Sequence, residues 1–362
     1  MTTTHNFAIG YLQFLDADGA MTAPLPSFAS DWAVLVAMHR AMTLTRSFDT
    51  KAIALQRTGQ LGTFASSLGQ EAVGIGVASA MRSEDVLLPS YRDHGAQLWR
   101  GVTMVESLLY WSGDERGSDF AATRHDFPNC VPIGTQAHHG AGVAYSIKLR
   151  REERVAVCLI GDGGTSRGDF YEAMNFAGVW QLPVVFVINN NQWAISVPRR
   201  LQSAAETLAQ KAIAAGIPGI QVDGNDVIAV RHAIDEALAR ARTGVGPSVV
   251  EALTYRLGDH TTADDATRYR DAEIVAAQWK LEPIARLRGF LIRRGVWDQE
   301  KEEQLLRDCA VQVNEAVEAY LGVAPPLTEA MFDYLYATLP QSIAEQRAEA
   351  VRFAATRGAR RG

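Results

Sequence analysis

The stretch VAVCLIGDGGTSRGDF (residues 155–170) runs from six apolar residues into a glycine-rich turn that carries a carboxylate, Asp162. A glycine-rich turn between a strand and a helix usually holds phosphate groups on its backbone N–H groups. Asp162 would repel a phosphate placed there directly. A divalent cation bound by Asp162 removes the conflict, because it presents positive charge to a phosphorylated ligand while Gly163 and Gly164 supply N–H groups.

A second predicted strand with polar residues at its carboxyl end follows one helix later in the sequence. The apolar run VVFVI ends in Asn189, Asn190 and Asn191. Asn191 lies 29 positions after Asp162 (191 − 162), the length of one helix plus one strand. Because neighbouring parallel strands end at the same edge of a sheet, we expect the two side chains to lie close together. Mg²⁺ prefers oxygen ligands, and the Asn191 amide offers one beside the carboxylate.

Two other interpretations compete with a metal site. A dinucleotide-binding GxGxxG loop requires glycine where this chain has Ser166, and an acidic residue at the end of the next strand, where this chain has asparagine. The dinucleotide interpretation therefore fails. The other treats GDG as a tight turn and the asparagines as loop formers. The succession of strand, GDG, helix, strand and Asn-Asn favours the metal site over that view.

The flanking segments alternate between strand and helix. We predict strands at residues 86–90, 155–160, 184–189 and 248–253, with a shorter one at 220–222. We predict helices from Asp31 to about Gln60 and at 69–81, 135–151, 169–180 and 226–240. We predict that residues 112–131 form a surface loop, which becomes ordered when a partner or ligand binds. This rhythm predicts an α/β fold, a parallel sheet with helices on both faces.

The pattern also predicts a domain organisation. Residues 1–30 are expected to form an N-terminal arm, residues 31–270 the α/β domain, and residues 271–362 a helical extension packed on that domain. The four arginines of the tail RFAATRGARRG are expected at a solvated helix end; they are Arg352, Arg357, Arg360 and Arg361.

Composition narrows the class of protein. The 362 residues are 47% hydrophobic and carry a net charge of −6, which argues against nucleic-acid binding by bulk basicity. The three cysteines show no CxxC spacing, which favours a reducing compartment. No lysine or arginine precedes Arg40, unlike signal peptides or mitochondrial presequences, and no apolar run is long enough to span a membrane. We expect a soluble, cytoplasmic, bacterial protein.

Residues 161–196 resemble the thiamine-diphosphate motif, in which GDG is followed by Asn-Asn about thirty residues later. The form is similar to the α subunit of the E1 component of 2-oxo acid dehydrogenase complexes. The segments GQLGTFASSLGQEAVGIG, LLPSYRDHG, IPGIQVDGND and HTTADDATRYR resemble E1α segments in the same order, so the resemblance covers about residues 30–320. The bacterial pyruvate-specific members are most similar.

The resemblance implies a thiamine-diphosphate-binding fold, with thiamine diphosphate and Mg²⁺ as cofactors. It implies oxidative decarboxylation of pyruvate and transfer of the acetyl group to the lipoyl group of E2. An E1 β subunit is the implied partner, in an α₂β₂ heterotetramer, and it supplies the glutamate that activates the cofactor. The isolated chain is therefore expected to be inactive.

The resemblance also implies site residues. The matching metal ligands are Asp162, Asn191 and the backbone carbonyl of Trp193, and the backbone of Gly163 and Gly164 matches the diphosphate-binding positions. Further cofactor-binding positions match four residues; they are Tyr91, Arg92, Ile133 (through its backbone) and Arg256. His260 matches the histidine that stands over the diphosphate and assists catalysis and acyl transfer, and Thr261 falls where eukaryotic members carry a regulated serine.

Read without the resemblance, these residues allow simpler roles. Tyr91 and Arg92 are equally consistent with an ion pair at a strand end, and His260 with a solvent-exposed loop histidine. His94 is expected to pack or cap, and Glu71 is left without a role. The adjacent His138 and His139 point apart on a helix, which favours packing or interface roles over a metal pair.

One departure bears on the substrate. Pyruvate-specific eukaryotic relatives carry a histidine before the GQEA segment, where this chain has Phe64, Ala65, Ser66 and Ser67. A branched-chain 2-oxo acid or acetoin dehydrogenase α subunit is therefore an alternative with the same metal site. A non-catalytic α/β binding module and a nucleotide-binding protein are the alternatives from other classes.

Overall fold

A computed structural model describes the backbone of residues 2–358 and the side chains of residues 2–356. The chain divides into two compact units, residues 1–317 and 318–362. The predicted domain boundaries at residues 30 and 270 stay predictions. Of the tail arginines, Arg352 is exposed on the last helix, while the side chains of Arg357, Arg360 and Arg361 lie outside the described residues.

The first unit is built on a six-stranded parallel sheet of order β1-β7-β8-β4-β3-β2. Its strands are β1 (Gly10–Leu12), β2 (Val86–Leu88), β3 (Ala156–Gly161), β4 (Val184–Asn190), β7 (Gly219–Asp223) and β8 (Ser248–Leu253). A small antiparallel pair follows β4 and consists of β5 (Trp193–Ala194) and β6 (Val197–Pro198). The predicted parallel α/β fold is confirmed, and β2, β3, β4, β7 and β8 correspond to the five predicted strands.

Helices connect these strands and extend the chain. In the first unit they are α1 (Trp32–Arg57), α2 (Glu71–Ala80), α3 (His94–Arg100), α4 (Met104–Ser112), α5 (Thr135–Arg150), α6 (Gly168–Val179), α7 (Lys211–Ala214), α8 (Val227–Arg242), α9 (Ala272–Trp279) and α10 (Pro283–Arg293). α11 (Gln299–Leu321) runs into the second unit, which holds α12 (Ala330–Asp333) and α13 (Gln341–Gly358). Asp31 is the N-cap of α1, since its carboxylate accepts a hydrogen bond from the Ala33 N–H. No described helix combines the length and apolarity that a bilayer span requires.

The sheet is covered on both faces, which explains its continuous apolar strands. In β3, Cys158 and Ile160 pack with α5 and α6, whereas Val157 and Leu159 pack with α2 and α8. Every residue of the run from Ala156 to Ile160 is buried. Because helices cover both faces of the sheet, ligands can approach these strands at their carboxyl ends. The polar turns lie at those ends.

The N-terminal residues 1–30, predicted to form an extended arm, include a strand of the sheet. β1 joins the sheet edge, with Gly10 opposite Ile220 of β7. The chain then continues into Phe14 and Leu15, whose N–H groups both donate to the Asp226 carboxylate at 2.7 Å. Both side chains are buried in a layer with α1 and α10. Phe14 and Leu15, which precede α1, are therefore part of the core.

The loop at residues 112–131 contains a 3-10 turn at Glu115–Ser118 and is otherwise irregular after α4. Asp126 anchors it, accepting hydrogen bonds from the Leu87 N–H at 2.8 Å and from Arg100 Nε at 2.6 Å. This buried carboxylate fixes the loop against the strand that leads to Tyr91 and Arg92.

Candidate functional site

A cavity of about 540 Å³ opens at the carboxyl ends of β2, β3 and β4. All but one of the residues predicted from the sequence line it; they are Tyr91, Arg92, Ile133, Asp162, Gly163, Gly164, Asn191, Trp193 and His260. The exception is Arg256. Carboxyl ends of neighbouring parallel strands are the expected position of a ligand site in an open α/β sheet.

The glycine turn follows β3 as a 3-10 turn (Asp162–Ser166) and leads into α6. A Cβ on Gly163 would lie 2.6 Å from the Ala194 Cβ, and one on Gly164 would lie 2.5 Å from the Ile160 Cγ1. Both positions therefore require glycine for packing. With no side chain in the way, the turn presents its backbone to the cavity.

Asp162 is the charged centre of this turn. The residue is 3% exposed, and its carboxylate accepts a long hydrogen bond of 3.3 Å from Gln202 Nε2. Burial raises the pKa of Asp162 to about 6. A buried carboxylate with so weak a side-chain partner is electrostatically suited to a bound cation.

The three asparagines at the end of β4 have different surroundings. Asn190 turns into the protein, where its Nδ2 donates to Glu251 Oε1 at 2.6 Å. Asn191 lines the cavity; its Nδ2 donates to Gln70 Oε1 at 2.9 Å and its Oδ1 accepts from the Trp193 N–H at 3.2 Å. Asn191, and not Asn190, is therefore the asparagine of this pair that lines the cavity.

The loop after Asn191 bends sharply. Gln192 and Ile195 adopt φ angles of 72° and 55°, in the left-handed region that residues with a side chain seldom occupy. Such strain is found where surrounding contacts enforce a functional geometry. Here it brings Trp193 and Ala194 against the glycine turn, so that both strand ends form one wall.

Arg92 and His260 form the opposite wall. Arg92 Nη1 donates to the Ser66 carbonyl at 2.9 Å, and Nη2 lies 2.8 Å from His260 Nδ1 and 2.5 Å from the His260 carbonyl. The Tyr91 ring lies under the Arg92 guanidinium, 5.1 Å from ring centre to Cζ. The guanidinium thus binds a backbone carbonyl and the histidine, in place of the strand-end ion pair considered above.

The charge state of His260 follows from these neighbours. Burial, and then the charges of Arg92 and Arg256, lower the pKa of His260 to about 4, so the ring is neutral at pH 7. Because Nδ1 accepts a hydrogen bond from Arg92, we assign the ring proton to Nε2. A neutral N–H donor on the cavity wall results.

Arg256 lies behind this wall and is not among the residues that line the cavity. It is 1% exposed; Nη2 donates to the Ile195 carbonyl at 2.8 Å and to the Tyr269 hydroxyl at 2.9 Å. Nη1 is 3.4 Å from His260 Nδ1. Arg256 therefore supports His260 and the bent loop, and direct cofactor binding by it stays a prediction.

Sequence reasoning missed several polar residues of the cavity. Gln70, Gln136 and Asn189 line it, and each has a buried polar atom without a hydrogen-bond partner among the described residues: Nε2, Oε1 and Oδ1. Buried polar groups are nearly always satisfied in folded proteins. These atoms fit a site that holds a polar ligand. Asn189 belongs to the asparagine run and could have been considered, whereas the glutamines carried no signal of their own.

The segment in which the chain departs from its eukaryotic relatives borders the same cavity. Thr63 and Ala65 line it, while Phe64 is fully buried and stacks on His94 at 5.0 Å between ring centres. His94 Nε2 bonds the Ala65 carbonyl at 2.9 Å, in agreement with a packing role. The cavity wall here is formed by small side chains.

Three other residues considered in the sequence lie elsewhere. Glu71 is buried and pairs with Arg46 at 2.7 Å. His138 is exposed near the carboxylates of Asp169 and Glu172, whereas His139 contacts Phe127, 5.6 Å between ring centres. The two histidines therefore face different neighbours, as their spacing predicts.

Comparisons with known proteins bear on this arrangement. The family model described as dehydrogenase E1 component matches residues 39–320. A protein of Staphylococcus epidermidis named pyruvate dehydrogenase E1 component subunit alpha is 41% identical over 337 residues, 92% of this chain and 91% of its own. A protein of the same name from Staphylococcus aureus shows the same identity and coverage. The chain therefore belongs to the dehydrogenase E1 component family.

Proposed function

We propose that this chain is the α subunit of a pyruvate dehydrogenase E1 component, which decarboxylates pyruvate and transfers the acetyl group to the lipoyl group of an E2 acyltransferase. The observation that carries the proposal is the juxtaposition of Asp162, Gly163 and Asn191 at neighbouring strand ends, on one cavity with His260. The name of the staphylococcal relatives supports the choice of pyruvate. The same proposal includes a cytoplasmic location in a bacterium.

The residues present fit thiamine diphosphate, the cofactor that the family implies, and Mg²⁺. Asp162 and Asn191 supply a carboxylate and an amide oxygen, and the Trp193 carbonyl completes the proposed protein ligands of the ion. The N–H groups of Gly163 and Gly164 are assigned to the diphosphate. The unpaired atoms of the buried glutamines and Asn189 give a polar ligand further partners.

When bound, thiamine diphosphate supplies the carbanion chemistry and the electron sink for decarboxylation. The chain itself supplies position and charge. Arg92 is held by the Ser66 carbonyl and stacked on Tyr91, so its charge stays fixed beside His260. Neutral His260 offers an N–H donor at pH 7 without adding positive charge. We assign to it the orientation of the reacting groups and the assistance of acyl transfer.

A β subunit completes the proposed site. No glutamate is among the described residues that line the cavity, so the carboxylate that activates the cofactor is assigned to the partner. Three apolar side chains on the cavity wall are strongly exposed: Val131 (50%), Ile133 (44%) and Ile195 (56%). Apolar surface beside a polar cavity is typical of an interaction site. We propose that the β subunit covers it, in an α₂β₂ assembly that delivers acetyl groups to E2.

A second candidate substrate deserves a direct test. The segment from Phe64 to Ser67, of which Ala65 lines the cavity, stands where pyruvate-specific eukaryotic relatives carry a histidine, which leaves a branched-chain 2-oxo acid as an alternative. The chain is co-expressed with its β subunit, and 2-oxo-acid-dependent dye reduction is measured with and without thiamine diphosphate and Mg²⁺. Pyruvate and 3-methyl-2-oxobutanoate are compared. Cofactor-dependent turnover that favours pyruvate supports the proposal. Preference for the branched acid assigns the sister activity, and no turnover with either contradicts both.

A further inference from the structure

A lysine outside the cavity donates hydrogen bonds to the glycine turn. Lys211, at the start of the short helix α7, is not among the residues that line the cavity. Its Nζ donates to the Thr165 carbonyl at 2.6 Å and to Thr165 Oγ1 at 3.1 Å. Thr165 is the fourth residue of the turn that begins with Asp162, so the lysine contacts the turn directly.

Thr165 passes this contact on to the proposed metal ligand. Its Oγ1 donates to the Asp162 backbone carbonyl at 2.8 Å. Thr165 is 4% exposed, so these hydrogen bonds are shielded from water. The chain of contacts from Lys211 through Thr165 therefore fixes the peptide group that bears the Asp162 side chain.

The turn has hydrogen bonds of its own, such as that from the Arg167 N–H to the Gly164 carbonyl at 3.1 Å, and Lys211 adds a charged donor to them. The turn is a single 3-10 turn between β3 and α6, and the Asp162 carboxylate has only the 3.3 Å hydrogen bond from Gln202 as a side-chain contact among the described residues. A protonated lysine beside backbone carbonyls forms strong, charge-assisted hydrogen bonds. Partial burial, and then the charge of Arg199, lower the pKa of Lys211, and the Glu251 carboxylate opposes this shift only in part.

We propose that Lys211 is a positioning residue, which acts through Thr165 to hold the Asp162 carboxylate in the orientation that Mg²⁺ binding requires. Its role is indirect, because Lys211 is not among the residues that line the cavity. The inference rests on the proposed function, because it presupposes that Asp162 binds the ion. It deepens that function by adding to the metal site a support 49 positions away in sequence (211 − 162).

The test uses the assembled α–β complex at a fixed thiamine diphosphate concentration. The rise in Tm is followed as Mg²⁺ is added, which gives a half-saturating Mg²⁺ concentration independent of turnover. For Lys211→Met we expect this concentration to rise about tenfold, the lower range for loss of an outer partner of a metal site. Lys211→Arg keeps the charge and is expected to recover most of the loss.

A matched control separates this effect from loss of a surface lysine. Lys148 also donates to a backbone carbonyl, that of Trp180 at 2.5 Å, but on the exposed side of α5. Lys148→Met should leave the half-saturating Mg²⁺ concentration unchanged. If Lys211→Met lowers the Tm of the cofactor-free complex yet leaves that concentration unchanged, Lys211 is only a stability residue and the proposal is overturned.

A double-mutant cycle tests the route through Thr165. Thr165→Val removes the hydroxyl with little change in shape. If Lys211 acts through this residue, the double variant should bind Mg²⁺ about as weakly as the weaker single variant. Fully multiplicative effects would refute the shared route. If the wild-type complex shows no Mg²⁺-dependent rise in Tm, the metal site itself is wrong, an outcome distinct from failure of the lysine hypothesis.

Discussion

Two turns at the carboxyl edge of the sheet look alike in sequence and differ in chemistry. β3 runs into Asp162-Gly163, and β7 runs into Asp223-Gly224. Both turns lead into a helix. The dipeptide Asp-Gly alone does not distinguish a cation ligand from a structural carboxylate.

Their hydrogen-bond partners separate them. The Asp223 carboxylate accepts hydrogen bonds from Arg286 Nη1 at 2.5 Å, from Gln13 Nε2 at 2.9 Å and from the Asn225 N–H at 2.9 Å. The Asp162 carboxylate has one long side-chain partner, Gln202. The first carboxylate forms an ion pair with Arg286, whereas the second has backbone N–H donors and Gln202 but no ion pair among the described residues.

Asp226, three residues further along, is an extreme case of a satisfied carboxylate. It is fully buried, and burial raises its pKa. One oxygen accepts from the Phe14 and Leu15 N–H groups at 2.7 Å, and the other from the N–H groups of Ile228 and Ala229. The oxygens of a structural carboxylate accept hydrogen bonds from internal donors. A carboxylate that binds a ligand has oxygens that can still bind a cation or accept a further hydrogen bond.

The largest expected effect is on activity, from Asp162→Asn. Loss of the proposed metal ligand should lower cofactor-dependent turnover of the α–β complex more than about a hundredfold, beyond the range for outer partners of a metal site. The cofactor-free Tm should change little, because burial disfavours the charged carboxylate and raises the pKa of Asp162 to about 6, so a neutral amide costs the folded state little. Dye reduction and Tm are measured together. The matched Asp223→Asn variant, corrected for folded fraction, should keep near-normal turnover; equal losses in both would break the comparison.

Asp226→Ala should lower stability and leave Mg²⁺ binding unchanged, the reverse of the effect expected for Asp162→Asn. Four backbone N–H groups lose their acceptor in a buried site, at a cost of about 3 kcal/mol of folding free energy. The Tm of the cofactor-free complex should fall by several degrees, with the half-saturating Mg²⁺ concentration of the folded fraction unchanged. An unchanged Tm would show that water can replace this carboxylate.

The two glycines offer a finer distinction. A Cβ on Gly224 would lie 2.6 Å from the Leu253 carbonyl, in the sheet itself, so Gly224→Ala should cost about 1–3 kcal/mol of stability. Gly163→Ala would press on Ala194 in the bent loop. We expect it to weaken thiamine diphosphate binding at a smaller loss of Tm. The comparison is contradicted if calorimetric titration finds cofactor binding weakened more by Gly224→Ala than by Gly163→Ala.

The smallest effect concerns pH. The folded-state pKa of His260 is about 4, below the ordinary value of about 6.5. Between these values the unfolded chain binds a proton that the folded chain does not, so stability falls as pH decreases from 6.5 towards 4. Because the ring is only half-buried, the contribution is modest. His260→Gln lacks it, so the fall in Tm from pH 7 to 4.5 should be smaller in the variant. An equal fall in both would assign the dependence to other groups.

The strands and helices of the sheet could be predicted because their periodicity and boundaries are local. The strand at residues 248–253 was predicted with its observed bounds, and Asp162 and Asn191 could be placed together from strand spacing alone. β1 could not, because three residues, GYL, carry no periodicity. Its place is fixed only by pairing with β7.

Residues that support the site through contacts with other side chains could not be predicted from the sequence, for a related reason. The sequence places Arg256 four residues before His260, but it does not give the side of the cavity wall on which the Arg256 side chain lies. Lys211 and Gln70 lie 46 and 121 positions from the residues they contact. Contacts over such distances depend on how helices pack, which no motif spacing records.

The pairing of β1 with β7 has a consequence for synthesis. Gly10 pairs with Ile220, and Phe14 and Leu15 require Asp226, so the first strand must wait for a segment about 210 residues later (220 − 10). At roughly 5–20 residues per second, that delay is on the order of 10–40 s on the ribosome. During that interval the apolar segment around Phe14 has no native partner in β7 or α8. We expect chaperones to bind the exposed segment during synthesis.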